Sequence, residues 1–238
     1  MKLDPAHIVA ARPYPQWRFL QLTLAIIAWM LVAPLLETRW TGHLAMQVLL
    51  LDLMLVTMWA NPHWARVRQV VLVLWLLSLA TSVLSVTGLS QMLSKFDETL
   101  DVSFAIPVAC ACIVGVLAFA FRAERPTVDG IFAMVVAYLL IALVFAELHY
   151  LLLIWNPEAL HLTVPLPQQS VRELRGDLIY FSLVTLSTVG YGDILPVSPT
   201  ARVLAMLEAL IGQFYVAVVV ATFVAKYVAL RDRQARKD

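Results

Sequence analysis

Residues 187–193 read STVGYGD: two hydroxyls, two of the chain's eight glycines, a tyrosine and an acid, set between long apolar runs. Bare backbone in hydrocarbon is prohibitively costly unless protein buries it or it lines a water-filled cavity. Glycine at 190 and 192 permits backbone conformations that turn successive carbonyls to one side. Those oxygens, with the Thr188 hydroxyl, can replace the hydration shell of a dehydrated cation. The apolar segment just before them, DLIYFSLVTLS (177–187), is only half as long as a membrane span, which needs about 20 residues. As a short helix that enters the bilayer and stops, it aims its partially negative C-terminal end at the same place. One chain supplies only part of a coordination shell, so the chemistry requires several copies around an axis.

The elements that must position this loop are membrane helices. The chain has 238 residues, 61% hydrophobic and 14% charged, with a mean hydropathy of +0.82. Soluble domains are roughly half apolar and a quarter charged. Six runs are long and apolar enough to span a bilayer, at 17–36, 43–60, 67–88, 104–121, 128–154 and 200–228. They predict an all-α membrane protein of six transmembrane helices, with the short helix re-entering between helices five and six. Lys and Arg in the flanks number twelve on the N-terminal side and five on the other. The positive-inside rule then places both termini in the cytoplasm, in a multi-pass cell (inner) membrane protein. The opening stretch lacks the basic-then-apolar order of a signal peptide. Segment 155–199 faces outward, where Pro157, Pro165 and Pro167 keep its first part irregular.

With TVGYG after a short re-entrant helix, residues 128–228 resemble the pore module of potassium channels, most closely the compact bacterial two-transmembrane type. TVGYG is the known potassium-filter sequence of that family. The resemblance implies a filter of Thr188, Val189, Gly190, Tyr191 and Gly192, with K+ as permeant ion, no cofactor, and a homotetramer around one pore. Asp193 falls behind the outer mouth, Arg202 at the outer end of the inner helix, and Gly212 at the gating-hinge position. Relatives brace the filter with two pore-helix tryptophans and a carboxylate; here those positions hold Tyr180, Phe181 and Val184. Tyr180 can donate to Asp193, and Thr185 is a candidate partner for a neighbouring copy's Tyr191, so fewer hydrogen bonds hold the loop. The implied domains are an N-terminal stretch (1–16), a four-helix region (17–127), the pore domain (128–228, pore helix 177–187, filter 188–192) and a basic tail (229–238).

The helix-four run FAIPVACACIVGVLAFAF carries no arginine, whereas a voltage sensor needs several there; voltage gating is not expected. Intramembrane acids usually pair or function. Asp52 is expected to find a partner within the first four helices, or to remain from a sensor's acidic site. Glu208 either backs the pore helix or faces the cavity. Gln213 either lines the cavity or bonds between helices. Glu147 and His149 either pair or reach the interface. Cys110 and Cys112 point to opposite sides of one helix and suit neither a metal nor a disulfide. The basic tail can meet anionic lipid headgroups. The scattered basic residues and the net charge of +1 give no basis for nucleic-acid binding. HExxH, GxSxG and nucleotide loops are absent, so no enzyme activity is expected. The competing functions are a weakly selective cation channel and a subunit of a coupled potassium transporter.

Overall fold

The computed structural model describes residues 17–32, 39–61, 64–87, 94–122, 127–162 and 171–235. Helices occupy all six apolar runs: α1 (Arg18–Val32), α2 (Arg39–Ala60), α3 (Ala65–Thr87), α4 (Ser94–Arg122), α5 (Val128–Trp155) and α7 (Pro199–Ala235), with α6 (Val171–Leu186) between the last two. Among the described residues, four of these helices (α3, α4, α5 and α7) are long and apolar enough to cross a membrane; the apolar stretches of α1 and α2, Arg18–Met30 and Gln47–Met58, are shorter. The N-terminal 16 residues, Arg125, Pro165, Pro167 and the last three residues lie outside the described set.

Local chemistry sets the ends of α1, α5 and α7. Thr127 caps α5, its hydroxyl accepting from the Gly130 amide at 3.0 Å. Asp129 in the first turn of α5 accepts from the Phe19 amide at 3.0 Å, satisfying a free N–H at the start of α1. Ser198 accepts from the Ala201 amide at 3.1 Å, and Pro199 fills the first position of α7, where a missing N–H costs nothing. With 37 residues, α7 runs roughly 55 Å, well beyond the hydrocarbon of about 30 Å.

Helix α5 is central, packing against α1, α4, α6 and α7. On one side it joins a core with Phe19, Leu22, Leu53, Val108 and Val116; on the other it joins Leu178, Phe181, Ile194 and Ala201 around α6. Gly115 of α4 sits close against Thr57 of α2, where a Cβ would lie 3.2 Å from the threonine Cβ.

Two expectations need correction. Helix α6, expected over 177–187, begins at Val171, because VRELRG is polar yet helical: an apolar run does not mark the whole length of a helix. The segment after α5 is not wholly irregular either. Strands β1 (Leu160–His161) and β2 (Leu195–Pro196) pair antiparallel, and the Val197 amide donates to the Ala159 carbonyl at 2.9 Å. That pairing ties the exit of the STVGYGD loop to the end of α5.

Candidate functional site

Helix α6 delivers the loop. Its last turn does not close as a regular helix: the Val189 amide reaches the Val184 carbonyl at 2.9 Å, and the Thr188 amide reaches the Thr185 carbonyl at 3.0 Å. Thr188, Gly190 and Gly192 all take positive φ, at 60°, 55° and 81°. Glycine does this freely, but a β-branched threonine does it only under constraint. Among the described residues, no hydrogen bond is accepted by the carbonyl oxygens of Thr188 to Gly192, and all five residues are exposed.

Tyr180 donates to Asp193 at 2.7 Å, as the sequence led us to expect. Its ring lies parallel to that of Tyr191, centroids 6.4 Å apart. The donated bond holds the Asp193 carboxyl below the usual carboxylate range. Phe181 turns away from the loop and sets its ring edge-on to His149 at 4.9 Å. Val184 contributes only its backbone.

Behind α6, His149 Nε2 meets Glu208 Oε2 at 3.2 Å, both side chains fully buried. Glu208 therefore sits behind α6, and the pairing of Glu147 with His149 weighed from sequence does not occur. Glu147 instead meets the guanidinium of Arg175 in α6 at 3.4 Å, and that group also faces Asp101 of α4 at 3.7 Å. Arg175 lies over the Tyr150 ring at 4.5 Å, and the Tyr150 hydroxyl donates to Glu98 at 3.0 Å. Ser82 donates to Asp101 at 2.7 Å, and Gln47 reaches Ser82 at 3.0 Å. One polar network thus runs from α2 and α3 to α6. Sequence reading missed it, though two acids, Asp101 beside one apolar run and Glu147 within another, signal a nearby cation.

Gly212 packs directly against the end of α6: an added Cβ would overlap the Leu186 carbonyl. Helix α7 runs unbroken through that position, so in this structure Gly212 is a close-packing residue. Next to it, Gln213 Nε2 donates to Thr188 Oγ1 at 3.0 Å, an interhelical bond to the loop itself. Arg202 donates to the Pro196 carbonyl at 3.3 Å. Asp52 is exposed on the face of α2 that carries Val48 and Leu55, and it makes no hydrogen bond or ion pair among the described residues, so the expected partner in the first four helices is not found there. Arg122 donates to Asn61 at 3.2 Å, a structural contact at the end of α4. Cys110 is exposed and Cys112 buried, on opposite sides as expected.

Residues 133–229 match the family described as Ion channel. Protein LctB of Bacillus caldotenax is 35% identical over 100 residues, covering 41% of this chain and 72% of that protein. The chain belongs to the ion-channel family. An inward rectifier potassium channel, Kirbac3.1 of Paramagnetospirillum magnetotacticum, is 39% identical over 51 residues, and two pore potassium channel c of Oryza sativa subsp. japonica is 38% identical over 56. Those stretches cover 21% and 24% of this chain, which spans only 17% and 12% of the two relatives' lengths. No solved structure matches it. The matched region holds α5, α6, the loop and α7, so the family likeness covers the elements that position STVGYGD.

Proposed function

We propose that this chain forms a compact potassium-selective channel of the bacterial type, four copies surrounding one pore filtered by Thr188, Val189, Gly190, Tyr191 and Gly192. Its main support is the row of carbonyl oxygens from Thr188 to Gly192 that accept no hydrogen bond among the described residues. At membrane depth lipid cannot pair these oxygens, and a dehydrated cation on a four-fold axis would supply the missing partner. Asp193 and Tyr180 hold the outer end, Thr185 faces a neighbouring copy's Tyr191, and Gly212 lets the inner helix pass close to the pore helix. Two relatives are named potassium channels. In this arrangement six helices span the inner membrane, α6 re-enters from outside, and both termini are cytoplasmic. K+ is the permeant ion and no cofactor is used. The first four helices do not act as a voltage sensor, since the basic residues of α4 sit only at its ends, Lys95 and Arg122.

A weakly selective cation pore is the second reading, favoured by the light bracing: Phe181 packs on His149 and Val184 offers no carboxylate. Reversal potentials of the reconstituted protein in opposed K+ and Na+ gradients separate the two. The expected value lies near the K+ equilibrium potential, and a midway value supports the second reading. Gly190→Ala should abolish current, because φ of 55° strains any residue with a Cβ; normal selective conduction by that variant would sink the filter assignment.

A further inference from the structure

On α7, between Val203 and Ala225, the polar side chains are Glu208, Gln213, Tyr215 and Thr222. Three of them turn away from the loop. Glu208 is tied to His149, Tyr215 donates to the Met134 carbonyl at 2.6 Å, and Thr222 donates to the Val218 carbonyl of its own helix at 2.7 Å. Gln213 alone reaches the loop, its amide donating to the Thr188 hydroxyl at 3.0 Å.

Two further observations give that bond weight. Thr188 holds φ of 60°, a conformation that crowds a β-branched side chain and persists only where surroundings impose it. Gln213 also cannot drift, because Gly212 beside it is seated on the Leu186 carbonyl at the end of the pore helix, and Glu208 one turn earlier is anchored to α5. The amide is therefore held in register with the inner end of the filter.

We infer that Gln213 is a positioning residue for the innermost ion site, fixing the Thr188 hydroxyl and its left-handed backbone so that the hydroxyl oxygen faces a dehydrated K+. This rests on the filter reading above. By accepting from Gln213, Thr188 Oγ1 keeps its remaining lone pair for the ion, and its own proton cannot be aimed at that amide nitrogen. Four copies place four such amide–hydroxyl pairs in a ring. The same bond ties the filter's inner end to the inner helix, so a movement of α7 at Gln213 changes the ion site directly.

The test uses the full chain reconstituted in planar bilayers, with unitary conductance followed against K+ concentration and block measured with Ba2+, a divalent ion close to K+ in size. Gln213→Leu, which keeps the volume and removes the amide, should weaken Ba2+ block and raise the half-saturating K+ concentration about ten-fold, equivalent to about 1.4 kcal/mol, while the reversal potential stays near the K+ value. Thr188→Ala should do the same, the double variant should add little, and Thr188→Ser, which restores the hydroxyl, should return most of the affinity. A merely structural role would lower the number of channels without moving either affinity. Wild-type affinities in Gln213→Leu, or additive losses in the double variant, overturn the inference. Should Gln213→Leu fail to assemble, Gln213→Met takes its place with the same expected outcomes. A wild-type protein without K+ preference fails earlier, at the filter reading itself.

Discussion

At the proposed outer mouth, a single tyrosine holds the acid that follows the loop. Tyr180 donates to Asp193 at 2.7 Å, and because that bond favours the ionised carboxyl, Asp193 titrates below the usual range. The sign follows from the depressed value: the contact contributes fully above the ordinary carboxylate range and is lost as pH falls through the lowered titration of Asp193. Tyr180→Phe removes the donor, so Asp193 should protonate at higher pH, and outer acidification should shut the current earlier than in wild type. Current recorded against external pH reads this directly; an unchanged acid limb would mean that Asp193 does not hold the mouth. The bond was legible in the sequence because both residues belong to one contiguous pore-loop pattern. Glu208 with His149 was not legible, since 59 positions separate them and the competing Glu147 stood only two residues from the histidine. Proximity in sequence favoured the wrong partner: residues two apart on a helix face different sides.

Among the elements, α6 is gripped from two sides. Its C-terminal end is pressed by α7 at Gly212, and its first turns are held by Arg175, which sits between Asp101 of α4 and Glu147 of α5. The positions of the helices were legible, because apolar runs of span length have few alternatives in a bilayer. Their mutual rotation was not, and rotation decides which acids meet Arg175. Removing one partner of a buried ion cluster leaves the others uncompensated, at a cost of about 3–5 kcal/mol. Arg175→Gln strands two carboxylates against each other, and it should lower the thermal stability of the detergent-solubilised protein substantially. Adding Asp101→Asn and Glu147→Gln to Arg175→Gln should recover much of the loss, since no buried charge is then left unpaired. Thermal unfolding of the single and triple variants checks this; equal losses in both would show that the cluster contributes through packing alone. At the other end of α4, Lys226 of α7 donates to the Phe121 carbonyl at 3.1 Å, capping the helix terminus where a cation is favoured. Helix α4 is thereby joined to α5, α6 and α7 near both of its ends, and with α1 it ties the first four helices to the family-matched region.

For the molecule as a whole, exposure has to be weighed by what is exposed. Phe214, Val216 and Val220 lie open on α7, but acyl chains are as apolar as these side chains, so in a bilayer they demand no partner. The loop carbonyls would need one at membrane depth, because lipid cannot satisfy them; on the proposed reading it is polar backbone, not apolar surface, that calls for further copies. A place to receive a neighbour exists between α5 and α7, an apolar groove of about 400 Å³ lined by residues that include Met134, Tyr138, Val216 and Val220. If a neighbouring copy seats there, Val220→Asp places a charge inside the contact. The purified wild type should then have four times the 26.6 kDa mass of one chain, and Val220→Asp should fall to single chains and lose all current. Val48→Asp is the control: Val48 is exposed on the face of α2 that already carries Asp52, so an added acid there should leave the assembly intact. Native mass measurement of the three proteins decides the matter. A Val220→Asp protein that stays tetrameric would move the contact elsewhere on α7, and a wild type that conducts K+ selectively as a single chain would remove the need for one.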